Sequence, residues 1–443
     1  MLLQEERRIV LADRNELNPL SPAVVECPFG FFAQLRREPP VYVPRARFFL
    51  ISRYDDVQQV LLNPELFSSA GSPGVRRKVA AEVLEIMAQG FRPRPSVQTS
   101  DPPLHQLYRS LFSKAFSSHR VARLEPRIRR LANELIDTFV DDHRVDLVSQ
   151  FAGPLTLTVF ASILGLPPSD VPILKRWSDD AAAPLGEAMD RRREVECAQS
   201  ELAAQRYFSA QLDERRREPR DDFLTELCAA RLGGAKALDN REIFFLLLQL
   251  LVAGHETSGS LISSAMLLLV NHPSQLAAVC NQPSLIPNLI EEAVRLESPI
   301  KAFFRVAKYD TELGGVKIPA GSRLAVLFAS ANRDESHFPD PDRFDIRREN
   351  AGEHLAFGLG IHYCLGATLA RTEARIAFEV LLSRLKDIRL AAANDFRHTP
   401  SFIFRGLRAL HLEFSPDATA HSRKVNSQQL AKRRQASEQR ATK

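Results

Sequence analysis

The sequence has few cysteines, and none of them belongs to a paired motif. Its 443 residues include five, Cys27, Cys197, Cys228, Cys280 and Cys364, which stand singly with no Cys-x-x-Cys pair. An odd number of scattered cysteines excludes a small disulfide-bonded scaffold and a zinc ribbon. It is typical of a reducing compartment, so the sequence predicts a cytoplasmic protein.

Long hydrophobic runs and a net charge on the body are also missing. The most apolar stretch, residues 243–253, contains Gln249, whereas a membrane span needs roughly 20 apolar residues. The first residues, MLLQEERR, are charged and predict neither a signal peptide nor a membrane anchor. The net charge of +5 comes from the last 29 residues, which hold seven Lys or Arg against two acids. Residues 1–414 are therefore neutral, and we expect no nucleic-acid partner.

What the sequence does contain is a mostly helical pattern with short strands. β-Branched and aromatic runs predict small sheets near the N-terminus and around Phe304–Leu327. Asp239 and Glu242 have capping-box spacing and predict a long apolar helix that ends near His272 and crosses the middle of the molecule. No linker divides the body. We predict an N-terminal extension (1–17), one large α+β domain (18–414) and a basic, disordered tail (415–443).

The strongest chemical signal is the segment Phe357–Gly366, which reads FGLGIHYCLG. Glycines on both sides of Cys364 favour a tight turn whose backbone can approach a flat ligand. The cysteine precedes a predicted helix, Leu365–Leu385, whose N–H groups and positive dipole end favour a thiolate. Such a thiolate is suited to ligating a haem iron. The alternative for a single cysteine is a buried structural role.

Three further motifs each have a functional and a structural interpretation. Glu292 and Arg295 are one helical turn apart and form either a surface salt bridge or part of a buried network. His105 and Arg109 share a helix face that either binds carboxylates or is a solvated basic face. In Ala253–Thr257, two small residues leave room for a ligand beside an acid and a hydroxyl that can relay protons. A helix kink or a close helix crossing is the alternative there.

Together these motifs resemble those of the cytochrome P-450 superfamily. The segment Phe357–Gly366 matches its haem signature F-G-x-G-x-H-x-C-x-G, Glu292–Arg295 its E-x-x-R helix, and Ala253–Thr257 its A-G-x-[DE]-T oxygen-activation motif. The resemblance covers about residues 18–414 and implies one triangular, mostly helical α+β domain with small sheets. It implies catalytic roles for Glu256 and Thr257, haem binding by His105, Arg109, Ala253, Arg305, Phe357, His362, Cys364 and Gly366 with Cys364 on the iron, and a structural triad of Glu292, Arg295 and Arg343.

The same resemblance implies a haem-thiolate monooxygenase of the soluble bacterial class. Such an enzyme binds haem b, takes electrons from a ferredoxin and its reductase, and inserts one atom of O₂ into an apolar small molecule. A terpenoid-like substrate is preferred to a steroid or a fatty acid, because the pocket candidates are rich in Phe. A peroxide-driven oxygenase of the same fold and a non-enzymatic haem sensor or carrier are the two alternatives.

Several residues outside the motifs have predicted positions. Phe303 and Phe402 are expected to line the substrate pocket, with the hydrophobic core as the alternative. Lys301 would pair with a carboxylate substrate if it faced the pocket, although an exposed position is the stronger expectation. A basic docking surface for the ferredoxin is predicted from Arg109, Lys114, Arg371 and Arg375.

Overall fold

The computed structural model describes residues 17–71, 74–75, 79–234 and 236–417. In this part of the chain the helices are α1 (Pro22–Glu26), α2 (Phe29–Leu35), α3 (Tyr54–Leu62), α4 (Ala81–Met87), α5 (Leu104–Ser113), α6 (Ser118–Asp137), α7 (Gly153–Leu164), α8 (Val171–Gly186), α9 (Arg191–Arg217), α10 (Phe223–Ala229), α11 (Asn240–Asn271), α12 (Pro273–Asn281), α13 (Ile286–Leu296), α14 (Phe328–Ala331) and α15 (Ala367–Arg384). The fold is 54% helical with small sheets, which confirms the predicted fold class.

The strands are short. They are β1 (Val41–Val43), β2 (Phe48–Ile51), β3 (Phe67–Ser68), β4 (Arg144–Asp146), β5 (Arg231–Leu232), β6 (Lys236–Ala237), β7 (Phe303–Ala307), β8 (Thr311–Leu313), β9 (Val316–Ile318), β10 (Arg323–Val326), β11 (Leu385–Leu390) and β12 (His411–Pro416). The predicted N-terminal extension up to residue 16 and the predicted tail from residue 418 lie outside the described residues.

The long central helix has the predicted boundaries. A capping box starts α11, since the N–H of Glu242 donates to Oδ1 of Asp239 at 2.7 Å and the N–H of Asp239 donates to Oε2 of Glu242 at 3.1 Å. The helix packs against α7, α8, α13 and α15. Its length and composition would also suit a membrane span, but half of its apolar window is buried inside the fold. This burial is what the core helix of a water-soluble protein requires.

The two strand regions that the sequence predicted as separate sheets form one sheet. Its strand order is β1-β2-β10-β7-β3. Strand β10 joins the two regions, because Leu324 lies opposite Phe49 in a parallel pair with β2 and opposite Arg305 in an antiparallel pair with β7. Pairing between segments more than 250 residues apart leaves no local sequence signal. The sheet places the side chains of β7 next to the site described below.

A second sheet corrects the predicted start of the tail. Strand β12 pairs with β11 and β4, and Pro416 lies opposite Leu385. Ser415 and Pro416 therefore belong to the folded body, whereas the sequence placed both in the tail. Polar composition suggested a boundary at residue 415, but an antiparallel strand with one face towards water needs apolar residues on its other face only.

Candidate active site

The loop before α15 holds Cys364 in a conformation that depends on two glycines. Gly358 and Gly360 have φ angles of +69° and +68°, in the left-handed region. A Cβ on Gly360 would also lie 2.7 Å from the carbonyl oxygen of Leu61. Side chains at these positions would strain the loop or force it off α3. The glycine pattern seen in the sequence is thus explained by the backbone.

The thiol of Cys364 lies at the N-terminus of α15. The N–H of Cys364 itself donates to the carbonyl of Phe357 at 2.8 Å, which closes the turn. Burial raises the pKa of the thiol, while the N–H of Gly366, the charges of Arg371 and Arg109 and the N–H of Ala367 act in the opposite direction. These groups favour a negatively charged sulfur once a cation compensates for the burial.

Cys364 lines a cavity to whose wall α11 also contributes. The cavity has a volume of about 440 Å³, and its lining includes Cys364 together with Ala253, Gly254 and Thr257. A Cβ on Gly254 would lie 3.4 Å from Cδ2 of Phe160 on α7. The glycine therefore also permits a close helix crossing, which was the structural alternative for this motif.

The two predicted catalytic residues occupy different sides of α11. Thr257 lines the cavity, and its hydroxyl donates to the carbonyl of Ala253 at 2.7 Å. Glu256 does not contribute to the cavity wall, and one of its carboxylate oxygens is buried without a hydrogen-bond partner. Burial raises the pKa of Glu256 to about 7, with Asp179 adding to the rise and Lys175 opposing it. The acid therefore lies towards α8, and titrates near neutrality.

Four basic side chains meet at one edge of the cavity. The rings of His105 and His362 have centroids 4.2 Å apart, and Arg109 donates from Nη2 to the carbonyl of Tyr363 at 2.8 Å. Arg305 of β7 is buried, and Nη1 donates to the carbonyl of the preceding residue at 2.8 Å. Both ring nitrogens of His105 are buried without a hydrogen-bond partner. The interpretation of His105 as part of a solvated face is therefore wrong.

The electrostatics of this basic cluster call for an anionic ligand. Burial together with repulsion from Arg305, His105 and Arg109 lowers the pKa of His362 to about 3. Burial also lowers the pKa of Arg305 to about 10, against the attraction of Asp101. Buried cationic groups are costly unless they are paired. A ligand with carboxylates at this edge would supply the missing charge and hydrogen-bond acceptors.

The predicted structural triad is present, but with a different second arginine. Arg295 donates to Glu292 from Nε at 2.7 Å and from Nη2 at 2.9 Å, and both side chains are fully buried. The other arginine on Glu292 is Arg348, whose Nε lies 3.1 Å from Oε1. The predicted Arg343 is 67% exposed and pairs with Asp345 instead. The prediction of Arg343 is thus wrong, because the loop turns its side chain outward.

The triad supports the loop that carries Cys364. Arg295 donates from Nη1 to the carbonyls of Asn332 at 2.9 Å and Pro341 at 2.7 Å. The side-chain oxygen of Asn332 in turn accepts from the N–H of Leu355 at 2.6 Å, two residues before the Cys364 segment begins. The network therefore links α13 to the loop before Cys364.

Of the two phenylalanines predicted to line the substrate pocket, one lines the cavity and the other lies in the core. Phe303 lines the cavity. Phe402 does not, because its ring packs 6.0 Å from both Phe48 and Phe304 by ring centroids. Phe404, two residues further on, lines the cavity in its place. The chain bends between these two residues, so the strand period of two does not hold here and the sequence prediction selected the wrong phenylalanine.

Lys301 occupies neither of its two expected positions. Its side chain is buried, lies outside the cavity wall, and donates from Nζ to the carbonyl of Val25 at 2.8 Å. The lysine therefore binds the end of α1 and not a substrate. Arg405 makes a similar bond, from Nη1 to the carbonyl of Glu26 at 3.0 Å.

The sequence analysis did not identify one acidic residue of the cavity wall. Glu373 of α15 is buried, lines the cavity and is hydrogen-bonded to Ser258 of α11. Its second carboxylate oxygen has no partner, and burial raises its pKa to about 8. The available signal was its position on the apolar face of α15, four residues after Leu369 and three before Ile376.

Comparison with known proteins decides the family. The family model described as Cytochrome P450 matches residues 185–388. Cytochrome P450 107B1 of Saccharopolyspora erythraea is 39% identical over 393 residues, 86% of this chain and 93% of that protein. The chain belongs to the cytochrome P450 family. Cytochrome P450 monooxygenase PikC of Streptomyces venezuelae is 34% identical over 407 residues, 90% of this chain and 94% of that protein.

A solved structure extends the likeness to three dimensions. Cytochrome P450 CYP109Q5 from Chondromyces apiculatus has a TM-score of 0.79 and 39% identity, and the match covers 92% of this chain and 100% of that chain. The cytochrome P450 is accordingly a haem-dependent monooxygenase with haem b as its cofactor. This confirms the predicted family, enzyme class and cofactor.

The observed site fits the cofactor that the family implies. The cavity wall presents one thiol, Cys364, and the basic groups Arg109, Arg305 and His362, and His105 beside His362 has both ring nitrogens buried without a hydrogen-bond partner. A haem has one iron that accepts a thiolate and two carboxylates that suit such an edge. The residues present therefore match both the iron and the carboxylates of the group.

Proposed function

We propose that this cytochrome P450 hydroxylates an elongated or bulky apolar molecule at a haem held by Cys364. The observation that carries the proposal is that the thiol of Cys364 and the hydroxyl-bearing face of α11 at Thr257 line the same cavity. Haem b bound there would supply the redox centre at which O₂ is reduced and one of its atoms is inserted into the substrate. His105, Arg109, Arg305 and His362 would hold its carboxylates, with Ala253, Phe357 and Gly366 against its faces.

The chain's own residues supply a route for protons. Glu256 has a pKa of about 7 and is electrostatically coupled to Asp179 and Lys175, which form an exposed pair on α8 with Nζ–Oδ2 at 2.6 Å. Glu256 can therefore exchange protons with solvent on that side. Thr257, the next residue, presents its hydroxyl to the cavity. The pair would move a proton from α8 to the reacting oxygen.

The test of the ligand assignment is spectroscopic. Cys364→His should abolish the absorption band that a thiolate-ligated haem shows with carbon monoxide after reduction, whereas Cys280→Ser should leave it unchanged. Cys280 is an exposed cysteine outside the cavity and serves as the matched control. A Cys364→Ser protein that kept the band would refute the assignment.

The cavity wall supports an apolar substrate. Phe303, Phe404, Ile300 and Val252 contribute to it, and aromatic walls accommodate a terpenoid as well as a steroid or a fatty acid. A screen of these classes for a low-spin to high-spin shift of the haem absorption would rank them. Binding of none of them would argue for the sensor or carrier alternative.

Electrons are proposed to come from a ferredoxin and its reductase in the cytoplasm. Two of the predicted docking arginines are paired within the chain, since Arg371 binds Glu291 through two bonds of 2.7 Å and Arg375 pairs with Glu125 and Glu379. Lys114 remains exposed at the end of α5. Turnover with ferredoxin, reductase and NADPH tests this assignment. Equal turnover with hydrogen peroxide alone would favour the peroxide-driven alternative.

A further inference from the structure

The segment between α4 and α5 lies along the first half of α11. The ring of Phe91 is 6.2 Å from that of Phe244 by centroids. The N–H of Gln98 donates to Oε1 of Gln249 at 3.3 Å. Arg94 stands between these two contacts in the chain. It therefore lies beside the part of α11 that runs from Phe244 to Gln249.

Arg94 is a charge at the opening of the cavity. It belongs to the cavity lining and is also exposed to solvent. No carboxylate of the described chain forms an ion pair with it, in contrast to Arg371 and Arg375. Arg109 and Arg305, the other arginines of the lining, belong to the basic cluster already assigned to the cofactor. Arg94 is thus the cavity-lining arginine that lies on the segment between α4 and α5.

The distance between Arg94 and Thr257 determines how long a ligand must be to contact both residues. At 1.5 Å per residue, Gln249 lies about 12 Å and Phe244 about 20 Å from Thr257 along the axis of α11. The α11 side of the cavity between these positions includes Phe245, Leu248 and Val252. A molecule that spans it needs an extended apolar body.

We propose that Arg94 binds the carboxylate of an elongated apolar acid whose other end reaches Thr257 and Cys364. The inference rests on the proposed function and narrows its substrate class from apolar compounds to apolar carboxylic acids. An arginine can hold a carboxylate through two parallel N–H···O bonds. A terminal carboxylate would keep contact with water at the opening, so little desolvation opposes binding. The apolar walls would direct the distant carbons of the acid to the haem side.

The test compares matched ligands on the haem-loaded full chain. Dodecanoic and hexadecanoic acids are titrated against the alcohols of the same length, with the spin-state shift as the readout. The unmodified protein should bind the acids more tightly. Arg94→Gln should weaken acid binding about tenfold, the effect of one charge-assisted hydrogen bond, and leave alcohol binding unchanged. Arg94→Lys should retain part of the preference.

Arg92→Gln is the matched control. Arg92 is two residues away and exposed, but it does not line the cavity. Arg92→Gln should change neither the affinity for the acids nor the affinity for the alcohols. The proposal is overturned if the unmodified protein binds acids and alcohols equally, if no acid shifts its spin state, or if Arg92→Gln has the same effect as Arg94→Gln. A loss of haem from Arg94→Gln would also overturn it, by assigning Arg94 to the cofactor. Absence of the thiolate band in the unmodified protein would instead refute the proposed function.

Discussion

Two helices of the molecule, α13 and α4, are built in opposite ways. Of the eleven residues of α13, eight are buried, and two of these are the charged pair Glu292 and Arg295. Of the seven residues of α4, only Val83 is buried. The first helix supports the Cys364 loop, and the second leads into the segment that carries Arg94. The helix behind the Cys364 loop is thus mostly buried, while the helix before the Arg94 segment is mostly exposed.

This difference suits the two tasks. Positioning a metal ligand requires a fixed geometry, and a buried hydrogen-bonded network provides one. Admitting and enclosing a substrate requires a segment that can move at small energetic cost. We therefore expect substitutions near the Cys364 loop to have larger effects than substitutions near the Arg94 segment.

The largest effect is expected from breaking the buried triad. Glu292→Ala leaves Arg295 and Arg348 without their carboxylate in the interior, and loss of one partner of a buried pair costs about 3–5 kcal/mol. The free energy of unfolding in urea and the haem content should both fall. Arg343→Ala, the control, removes an exposed side chain and should change stability by less than about 0.5 kcal/mol. Equal losses in the two variants would contradict the assignment of Arg348.

The triad also shows what the sequence can and cannot predict. Glu292 and Arg295 were predictable, because helical spacing fixes their relative position. Arg343 and Arg348 lie in the same irregular loop, where spacing carries no such information, and Asp340 there has a φ of +48°. The Cys364 segment was predictable because its glycines are required by a local turn. The joined sheet, Glu373 and Arg94 depend on contacts between distant segments, which a single sequence does not reveal.

The next largest effect concerns the hydroxyl of Thr257. Thr257→Ala should leave haem content and substrate affinity nearly unchanged, because the cavity walls and Cys364 remain. Proton delivery should fail, so that NADPH consumption continues while product falls about a hundredfold, the lower end of the usual contribution of a positioned proton donor, and hydrogen peroxide accumulates. Product per NADPH is the measurement.

Ser263→Ala is the matched control for Thr257→Ala. Both hydroxyls donate to the carbonyl four residues earlier on α11, Ser263 to Gly259 at 2.8 Å, but Ser263 lies outside the cavity wall. A general effect on α11 would appear in both variants. If product per NADPH stays near normal in Thr257→Ala, the proton route does not pass through this hydroxyl.

A smaller, pH-dependent effect is expected from Glu256. Its pKa of about 7 means that it carries a proton below pH 7 and loses it above. Product per NADPH should therefore decline as the pH rises through about 7. In Glu256→Gln, product per NADPH should be low at all pH values and should not decline with rising pH. Asp179 contributes to the raised pKa, so Asp179→Asn should lower that pKa and move the decline to lower pH. An unchanged profile in both variants would exclude Glu256 as the donor.

The smallest effect belongs to the substrate side. Oε1 of Gln205 on α9 accepts from the N–H of Phe91 at 2.6 Å, and this bond fastens the Arg94 segment to α9. Gln205→Ala removes it at a cost of about 1 kcal/mol, so amide exchange in residues 88–98 should become roughly fivefold faster. Exchange in residues 357–366 should not change, because the triad network is untouched.

Arg191→Ala, which breaks an exposed ion pair with Glu82 at 2.8 Å, should have a weaker effect because such pairs contribute about 0–1 kcal/mol. Faster exchange in both segments would mean that the two sides of the site open together, and the contrast between α13 and α4 would then lack functional meaning.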